Sequence, residues 1–453
     1  MNHSTAVDVS SLIDKALLGG YQIRVIVLCA IIAMLDGFDT QSIAYVAPAI
    51  ASDWGLPSSS FGPVFGIGLL GLTCGALLFG PLADKFGRRR IVVLTVFLFG
   101  VFAFLTAFSS SFIELLLLRF LTGVGLGGAM PNIIALTSEY SPKRLRATMI
   151  TLMFAGFPLG SMMGGFISAE VIPAWGWQAV FYIGGALPLL LIPILYFMLP
   201  ESIRFMCAQG GRGAQIAGIL RRLAPVASIN DSTKFYLPEE HHGGFAVRHL
   251  FRDGRTSMTL LIWVAFFMNL LVMYFLVNWL PSLLKAAGLP LKTAILGTAL
   301  LNAGGVIGSL LIARLIDRLN PFAVLANAYA LAACFIAVSA IQGLSSTLLL
   351  GAIFFSGFGI VGAQLGINAV VADLYPTAIR STGIGWALGI GRVGSILGPI
   401  FGGVLLSIGW EGHSIVMITV IPSLAASIAV GALGYTRRIN LKATHEEGLK
   451  KTS

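Results

Sequence analysis

The chain has 453 residues, of which 57% are hydrophobic and 11% are charged. A soluble domain carries about 25% charged residues, so the composition excludes a soluble globular protein and predicts an all-α integral membrane protein. The net charge of +10 is not the mark of a nucleic-acid partner, because the basic residues sort by membrane side.

Apolar runs of about 20 residues suit helices that cross a hydrocarbon core about 30 Å thick. The alternating pattern of an outer-membrane barrel is absent. Residues 1–23 form a polar N-terminus, and the apolar run after it is too long for the core of a signal peptide. Twelve spans are predicted. The first six lie at 24–50, 61–83, 91–109, 112–137, 148–170 and 178–199. The second six lie at 258–281, 293–316, 321–342, 345–370, 380–407 and 413–435. They divide the chain into a six-helix bundle over 24–199, a linker over 200–257, a second bundle over 258–435, and a tail over 436–453. The linker holds eight basic residues and the segment GGRGAQIAGILRRLAP, an amphipathic surface helix by its pattern.

Lys285 and Lys292 fall on one side of the membrane, and Arg119 and Arg392 fall inside spans. The other basic residues lie at the termini, in alternate loops and at the span ends that border them, which places both termini in the cytoplasm. Cys29, Cys74, Cys207 and Cys334 lie in spans or the linker, so no disulfide is expected. No phosphate-cradling GxxxxGK[ST] occurs. No catalytic residue, metal or cofactor is expected, and the chain reads as no enzyme.

The first span contains two carboxylates, Asp36 and Asp39, in a stretch without Lys or Arg from Val25 to Ile50. An ionised Asp at mid-bilayer costs roughly 2.5–3.5 kcal/mol on insertion scales. Their spacing puts both on one helix face, and Gly37 between them leaves room for a neighbour. The pair either holds helices together or serves transport. In span four, Arg119 lies near the outer end, where its side chain could snorkel to water, pair with an acid, or share in proton coupling. In span eleven, Arg392 lies about a dozen residues in, near the midplane at 1.5 Å per residue. It is placed to hold a substrate carboxylate or to pair with Asp36 or Asp39.

The two halves repeat each other. EYSPKRLRAT at 139–148 matches DLYPTAIRST at 373–382, an offset of 234 that also aligns Gly123, Gly125 and Gly128 with Gly357, Gly359 and Gly362. At 233, Asp84 falls on Asp317, Pro48 on Pro281, and Asp36 on Asn269. An even number of spans per half gives both copies the same orientation, hence two pseudo-symmetric six-helix bundles.

GPLADKFGRRR at 80–90 resembles the loop signature of the major facilitator superfamily, and PESIR at 200–204 resembles the end of its sixth span. The second-half copy of the loop is degraded, which leaves Asp317 without an assigned role. DGFD at 36–39 followed by Ala47-Pro48 resembles the first span of the aromatic acid:H+ symporter family. The resemblance implies a proton-coupled importer of small aromatic carboxylates of the hydroxybenzoate, protocatechuate and benzoate class. It would work by alternating access, as a monomer in a bacterial inner membrane, with a substrate site between the halves. It implies proton coupling at Asp36, Asp39 and Arg119, and carboxylate binding at Arg392. A cytoplasmic gate would comprise Gly80, Asp84, Gly87, Arg88, Arg89, Glu139, Arg146, Asp373 and Arg380, with Glu139 and Asp373, beside the basic residues of the loops that follow them, as its salt bridges. Phe38, Phe154, Phe157, Asn269, Tyr274, Asn302 and Trp386 fall near the midplane and are candidates to line a pocket. An exporter, a chemoreceptor, and a muconate-type diacid substrate are the alternatives. The exporter pattern is matched by 394–403 and broken by Ser161 in 156–165.

Overall fold

The computed structural model describes residues 6–209, 213–223, 234–236, 247–252, 255–375 and 379–452. A short strand β1 (Ala6–Asp8) and helix α1 (Val9–Lys15) precede the first long helix, α2 (Gly20–Trp54). It is followed by α3 (Phe61–Phe86), α4 (Arg88–Thr106), α5 (Phe112–Tyr140), the broken pair α6 (Arg146–Phe154) and α7 (Gly156–Trp175), and α8 (Gln178–Met198). Helices α9 (Ile203–Gln209) and α10 (Gly213–Leu223) and strand β2 (Lys234–Tyr236) lie in the central segment. The second half runs α11 (Thr256–Ala286), α12 (Leu291–Arg318), α13 (Pro321–Ser339), α14 (Ser346–Leu374), α15 (Arg380–Ser407), and the broken pair α16 (Gly412–Ile418) and α17 (Val420–Thr452). Each of the twelve predicted spans is thus a helix or a once-broken helix. Among the described residues, eleven such stretches are long and apolar enough to cross a membrane. The other long helix is α2, which carries Arg24, Asp36, Asp39 and Asp53.

Two features depart from the sequence expectation. Helix α17 continues to Thr452 where a tail was expected, since Lys, Glu and Ala remain good helix formers outside the membrane. Strands β1 and β2 pair in parallel, Val7 opposite Phe235, a minor β element in an otherwise helical chain. The amphipathic segment does form a helix, α10, and buries Ile216, Ala217, Leu220 and Leu223.

The chain forms two compact units. One is built from the described residues of 1–42, 67–164 and 175–241, and the other from those of 43–66, 165–174 and 242–453. In membranes helices are held by close packing of small residues, because lipid tails are as apolar as leucine. In the first unit, Gly156 and Gly160 of α7 lie against the carbonyls of Ala30 and Met34 on α2, and Gly164 lies against the Phe38 ring. Gly71 and Gly75 of α3 lie against the carbonyls of Phe120 and Val124 on α5. The second unit repeats the contacts of Gly160, Gly164, Gly71 and Gly75 at the sequence offsets, while Ile390 stands where Gly156 would recur. Gly394 and Gly398 of α15 lie against the carbonyls of Phe267 and Leu271 on α11, and Gly304 and Gly308 of α12 against those of Phe354 and Phe358 on α14. The duplication seen in the sequence is therefore a duplication of helix contacts.

The second unit also contains the late part of α2, the start of α3 and the end of α7. Gly62 lies close to Gly403. Phe65 meets Trp279 edge-on, with ring centroids 5.2 Å apart, and Trp279 Nε1 donates to the Pro399 carbonyl at 2.8 Å. Glu170 is paired with Lys292.

At Gly127 and Gly357 an added β-carbon would overlap the carbonyls of Leu72 and Leu301, whereas at Gly351 it would meet nothing within 4 Å. Overpacking costs about 1–3 kcal/mol. Gly127→Ala and Gly357→Ala are each expected to lower the thermal midpoint of the purified protein, and Gly351→Ala to leave it unchanged or raise it. Equal midpoints for all three would refute glycine packing as the basis of both bundles.

Candidate functional site

Helix α2 carries the two acids at its middle, and α7 fixes their orientation. Gly37 faces the backbone of Phe157 so closely that no side chain fits. Ser161 Oγ donates to the Gly37 carbonyl at 2.9 Å. With Gly37 pinned, Asp36 and Asp39, three residues apart, project from one face of the helix.

Asp39 is fully buried and meets Arg119 of α5, which is 3% exposed. Arg119 Nη2 donates to Oδ2 at 2.9 Å and to the Asp39 carbonyl at 3.3 Å, while Nη1 reaches Oδ1 at 3.4 Å. This is the fork geometry in which a guanidinium holds a carboxylate. The Arg119 guanidinium also lies 5.6 Å from the centroid of the buried Phe181 ring. Snorkelling of Arg119 to water does not occur, because the buried carboxylate of Asp39 offers it a stronger partner inside the bundle. Asp36 is 1% exposed and accepts from Thr40 Oγ1 at 3.0 Å.

In the second unit, Asn269 occupies the position that Asp36 holds in the first and donates through Nδ2 to Gln364 Oε1. Its own Oδ1 is buried without a partner among the described residues. Arg392 is half-buried on α15, with Nη1 3.4 Å from the Tyr274 hydroxyl, and carries no ion pair among the described residues. The duplication is broken where the chemistry sits. At the offsets of 233 and 234, Asp39 corresponds to Val272, Arg119 to Ile353, and Arg392 to Pro158. That loss of correspondence is a signal, readable in the sequence, that marks all four charged positions together.

The other candidates are dispersed. The Phe38 ring packs between Gly164 and Gly184, and Phe154 packs on the core of the first unit. The Phe157 carbonyl accepts from Ser161 Oγ at 3.2 Å. Asn302 turns back to the Thr298 carbonyl of its own helix at 3.1 Å. Trp386 is 41% exposed and stacks on Trp263 with centroids 5.8 Å apart.

At the end of the first unit that carries the basic 80–90 loop, Glu139 pairs with Arg88 at 2.7 Å and accepts from Ser202 Oγ at 2.7 Å. Glu139 thus pairs across the bundle. Arg146, beyond the end of α5, lies 3.8 Å from Asp14, and Asp14 also accepts from the Lys143 N–H. The reason is direction: the end of α5 faces the start of α4, where Arg88 begins the helix. Asp84 is exposed and only 3.6 Å from Arg88. Gly87 has φ of +99° and closes the turn between α3 and α4, its α-carbon backed by the Glu201 carboxylate. Arg89 donates its backbone N–H to Glu201 at 3.0 Å, a partner the sequence reading missed. Gly80 approaches nothing within 4 Å. The side chains of Asp373 and Arg380 lie outside the described residues. Among the described residues no cluster of His, Cys, Asp and Glu is arranged to hold a metal ion, and the four cysteines are unpaired.

Residues 29–387 match the Major Facilitator Superfamily model. The chain is 41% identical to a gallate transporter of Pseudomonas putida, covering 95% of this chain and 96% of that protein. It is also 41% identical to the 4-hydroxybenzoate transporter PcaK of Pseudomonas aeruginosa, over 94% and 95%. Among solved structures it is similar to the inward-open xylose transporter XylE from E. coli, with a TM-score of 0.71 and 16% identity over 90% of this chain and 95% of that one. That likeness speaks for the fold alone.

Removing one partner of a buried ion pair leaves the other charge uncompensated, at a cost of about 3–5 kcal/mol. Arg119→Ala and Asp39→Asn are each expected to lower the thermal midpoint sharply. The double variant Asp39→Asn/Arg119→Gln is expected to recover much of that loss. Additive losses in the double variant would show that the two groups do not interact.

Proposed function

We propose that this chain, which belongs to the major facilitator superfamily, imports small aromatic carboxylates together with protons by alternating access. The substrate class is supported by the identity to gallate and 4-hydroxybenzoate transporters along nearly the whole chain. The observation that carries the proton is the buried Asp39–Arg119 pair with Asp36 one turn away. Burial favours the neutral acid and a facing arginine favours the carboxylate. A proton that reaches Asp36 or Asp39 changes which partner Arg119 holds, and that exchange ties proton movement to the position of α2 and α5.

Arg392 holds the substrate carboxylate. Its guanidinium has only the Tyr274 hydroxyl at 3.4 Å as a hydrogen-bond partner among the described residues, so donors remain for a fork onto a carboxylate. Asn269, buried, and Gln364, partly buried, within the same unit, supply donors and acceptors for ring hydroxyls. The Arg88–Glu139 pair and the Glu201 contacts serve as the cytoplasmic gate of the first half. The protein acts as a monomer in the inner membrane of a bacterium, with both termini in the cytoplasm. That orientation is supported by the distribution of Lys and Arg.

Uptake of labelled 4-hydroxybenzoate by cells expressing the protein is expected to be abolished by a protonophore. Protonophore-resistant uptake would refute coupling, net efflux would identify an exporter, and binding without flux would identify a receptor.

The carboxylate role has its own test. Charge-assisted hydrogen bonds contribute roughly 1.5–3 kcal/mol, so Arg392→Lys, which keeps the charge and loses the planar fork, is expected to weaken acid binding by about ten- to hundredfold. The amide of the same acid, already weak on the wild type, is expected to lose little more. Equal losses for acid and amide would remove Arg392 from carboxylate recognition.

A further inference from the structure

The first unit carries a groove of about 650 Å³ that none of the transport residues explains. Its walls are Val93, Leu94 and Phe97 of α4 and Ile192 and Tyr196 of α8, and its head is formed by Arg89, Arg90, Glu201 and Gln215. It lies where α4 begins and α8 ends, at the membrane side that holds the basic loop. Leu94, Phe97 and Tyr196 are each more than 40% exposed. In a helix bundle of this composition, such an apolar strip faces acyl chains.

The charges at the head are unequal. Glu201 is turned inward, accepting the N–H groups of Arg89 at 3.0 Å and Ser202 at 2.8 Å. The Arg89 guanidinium lies 5.1 Å from the centroid of the Tyr196 ring and donates to the Tyr196 carbonyl, which holds it over the groove. Arg90 is exposed and has no ion pair among the described residues. Arg221 and Arg222 follow on α10, the amphipathic helix that contributes Gln215 to the same head. Oε1 of the one carboxylate at the head is therefore taken by backbone donors, and the guanidiniums of Arg89 and Arg90 keep donors for an anion.

We propose that this groove holds an anionic phospholipid. Its phosphate is bound by Arg89 and Arg90, and one acyl chain runs along Val93, Leu94, Phe97 and Ile192. A polar head beside an apolar trough fits an amphiphile, and neither a free phosphate nor a soluble metabolite has anything to place along the trough. The site touches the gate through the chain itself. Arg88, Arg89 and Arg90 form the first turn of α4, so a lipid phosphate held at Arg89 and Arg90 restrains the turn from which Arg88 reaches Glu139.

Native mass spectrometry of the full chain, released from nanodiscs of mixed phosphatidylglycerol and phosphatidylcholine, reads the proposal directly. The wild type is expected to retain one phosphatidylglycerol in clear preference to phosphatidylcholine. One basic residue near an anionic lipid surface is worth about a fivefold change in affinity, so Arg90→Gln is expected to cut that preference about fivefold. Arg90 has no ion pair to lose among the described residues, so this variant should fold. Leu94→Trp fills the trough without altering charge, and is expected to reduce retention of both lipids at this position. Retention of phosphatidylglycerol unchanged in both variants would overturn the site. Displacement of the lipid by millimolar inorganic phosphate alone would also overturn it, in favour of a simple anion site. Loss of phosphatidylcholine together with phosphatidylglycerol in Arg90→Gln would show an apolar groove without headgroup recognition, again against the proposal.

Discussion

A carboxylate with no access to water has to be neutralised or paired, and Asp39 is paired. The contact with Arg119 spans two helices separated by 80 positions in the chain. It can form only because α2 and α5 are held at fixed depth by glycine contacts on α7 and α3. Pinning Gly37 against α7 also sets the rotation of α2, so the same packing that builds the first unit aims Asp39 at α5. Taking either charge out of water is costly, and their mutual attraction offsets that cost only while the geometry holds. An ion pair of this kind is poor insulation against change. A proton or a small shift of one helix alters its balance, and this makes it suitable for coupling.

The duplication shows which parts of the chain serve architecture and which serve chemistry. Close glycine contacts between α2 and α7 and between α3 and α5 recur between α11 and α15 and between α12 and α14. The charges within the spans do not recur. Asp39 and Arg119 face Val272 and Ile353 in the alignment of the halves, while Arg392 faces Pro158. One scaffold has been used twice, with an acidic pair in one copy and Arg392 beside Tyr274 in the other. That asymmetry supports the proposed division of proton and substrate between the copies.

The number of spans, their order and the repeat were legible in the sequence because each rests on local composition or on register. Helix ends were less so: α17 runs past the apolar stretch since charged residues continue a helix without difficulty. Asp36, Asp39, Arg119 and Arg392 stood out as charges in apolar segments, yet the sequence could not say which would meet. Partner choice depends on helix rotation, which composition does not encode. The same limit hid the partner of Glu139, which is Arg88 across the bundle. Aromatic and amide candidates were the least legible. Phe38 fills the space between two glycines, and Asn302 bonds its own helix. Membrane helices use such side chains for packing far more often than for ligands. The Asn269–Gln364 pair, by contrast, joins two amides that only the folded chain brings together.

The central claim is that the acids beside Arg119 couple protons to substrate without being needed for substrate movement itself. Proteoliposomes separate the two functions. With a labelled aromatic acid inside and outside at equal concentration, exchange requires binding and the conformational cycle. Accumulation against a gradient, driven by an acid exterior, requires the proton as well. Asp36→Asn should retain exchange and lose accumulation under the imposed pH gradient. Accumulation at the wild-type level in Asp36→Asn would contradict the account, because the proton would then travel by a route that does not involve the buried acids of α2.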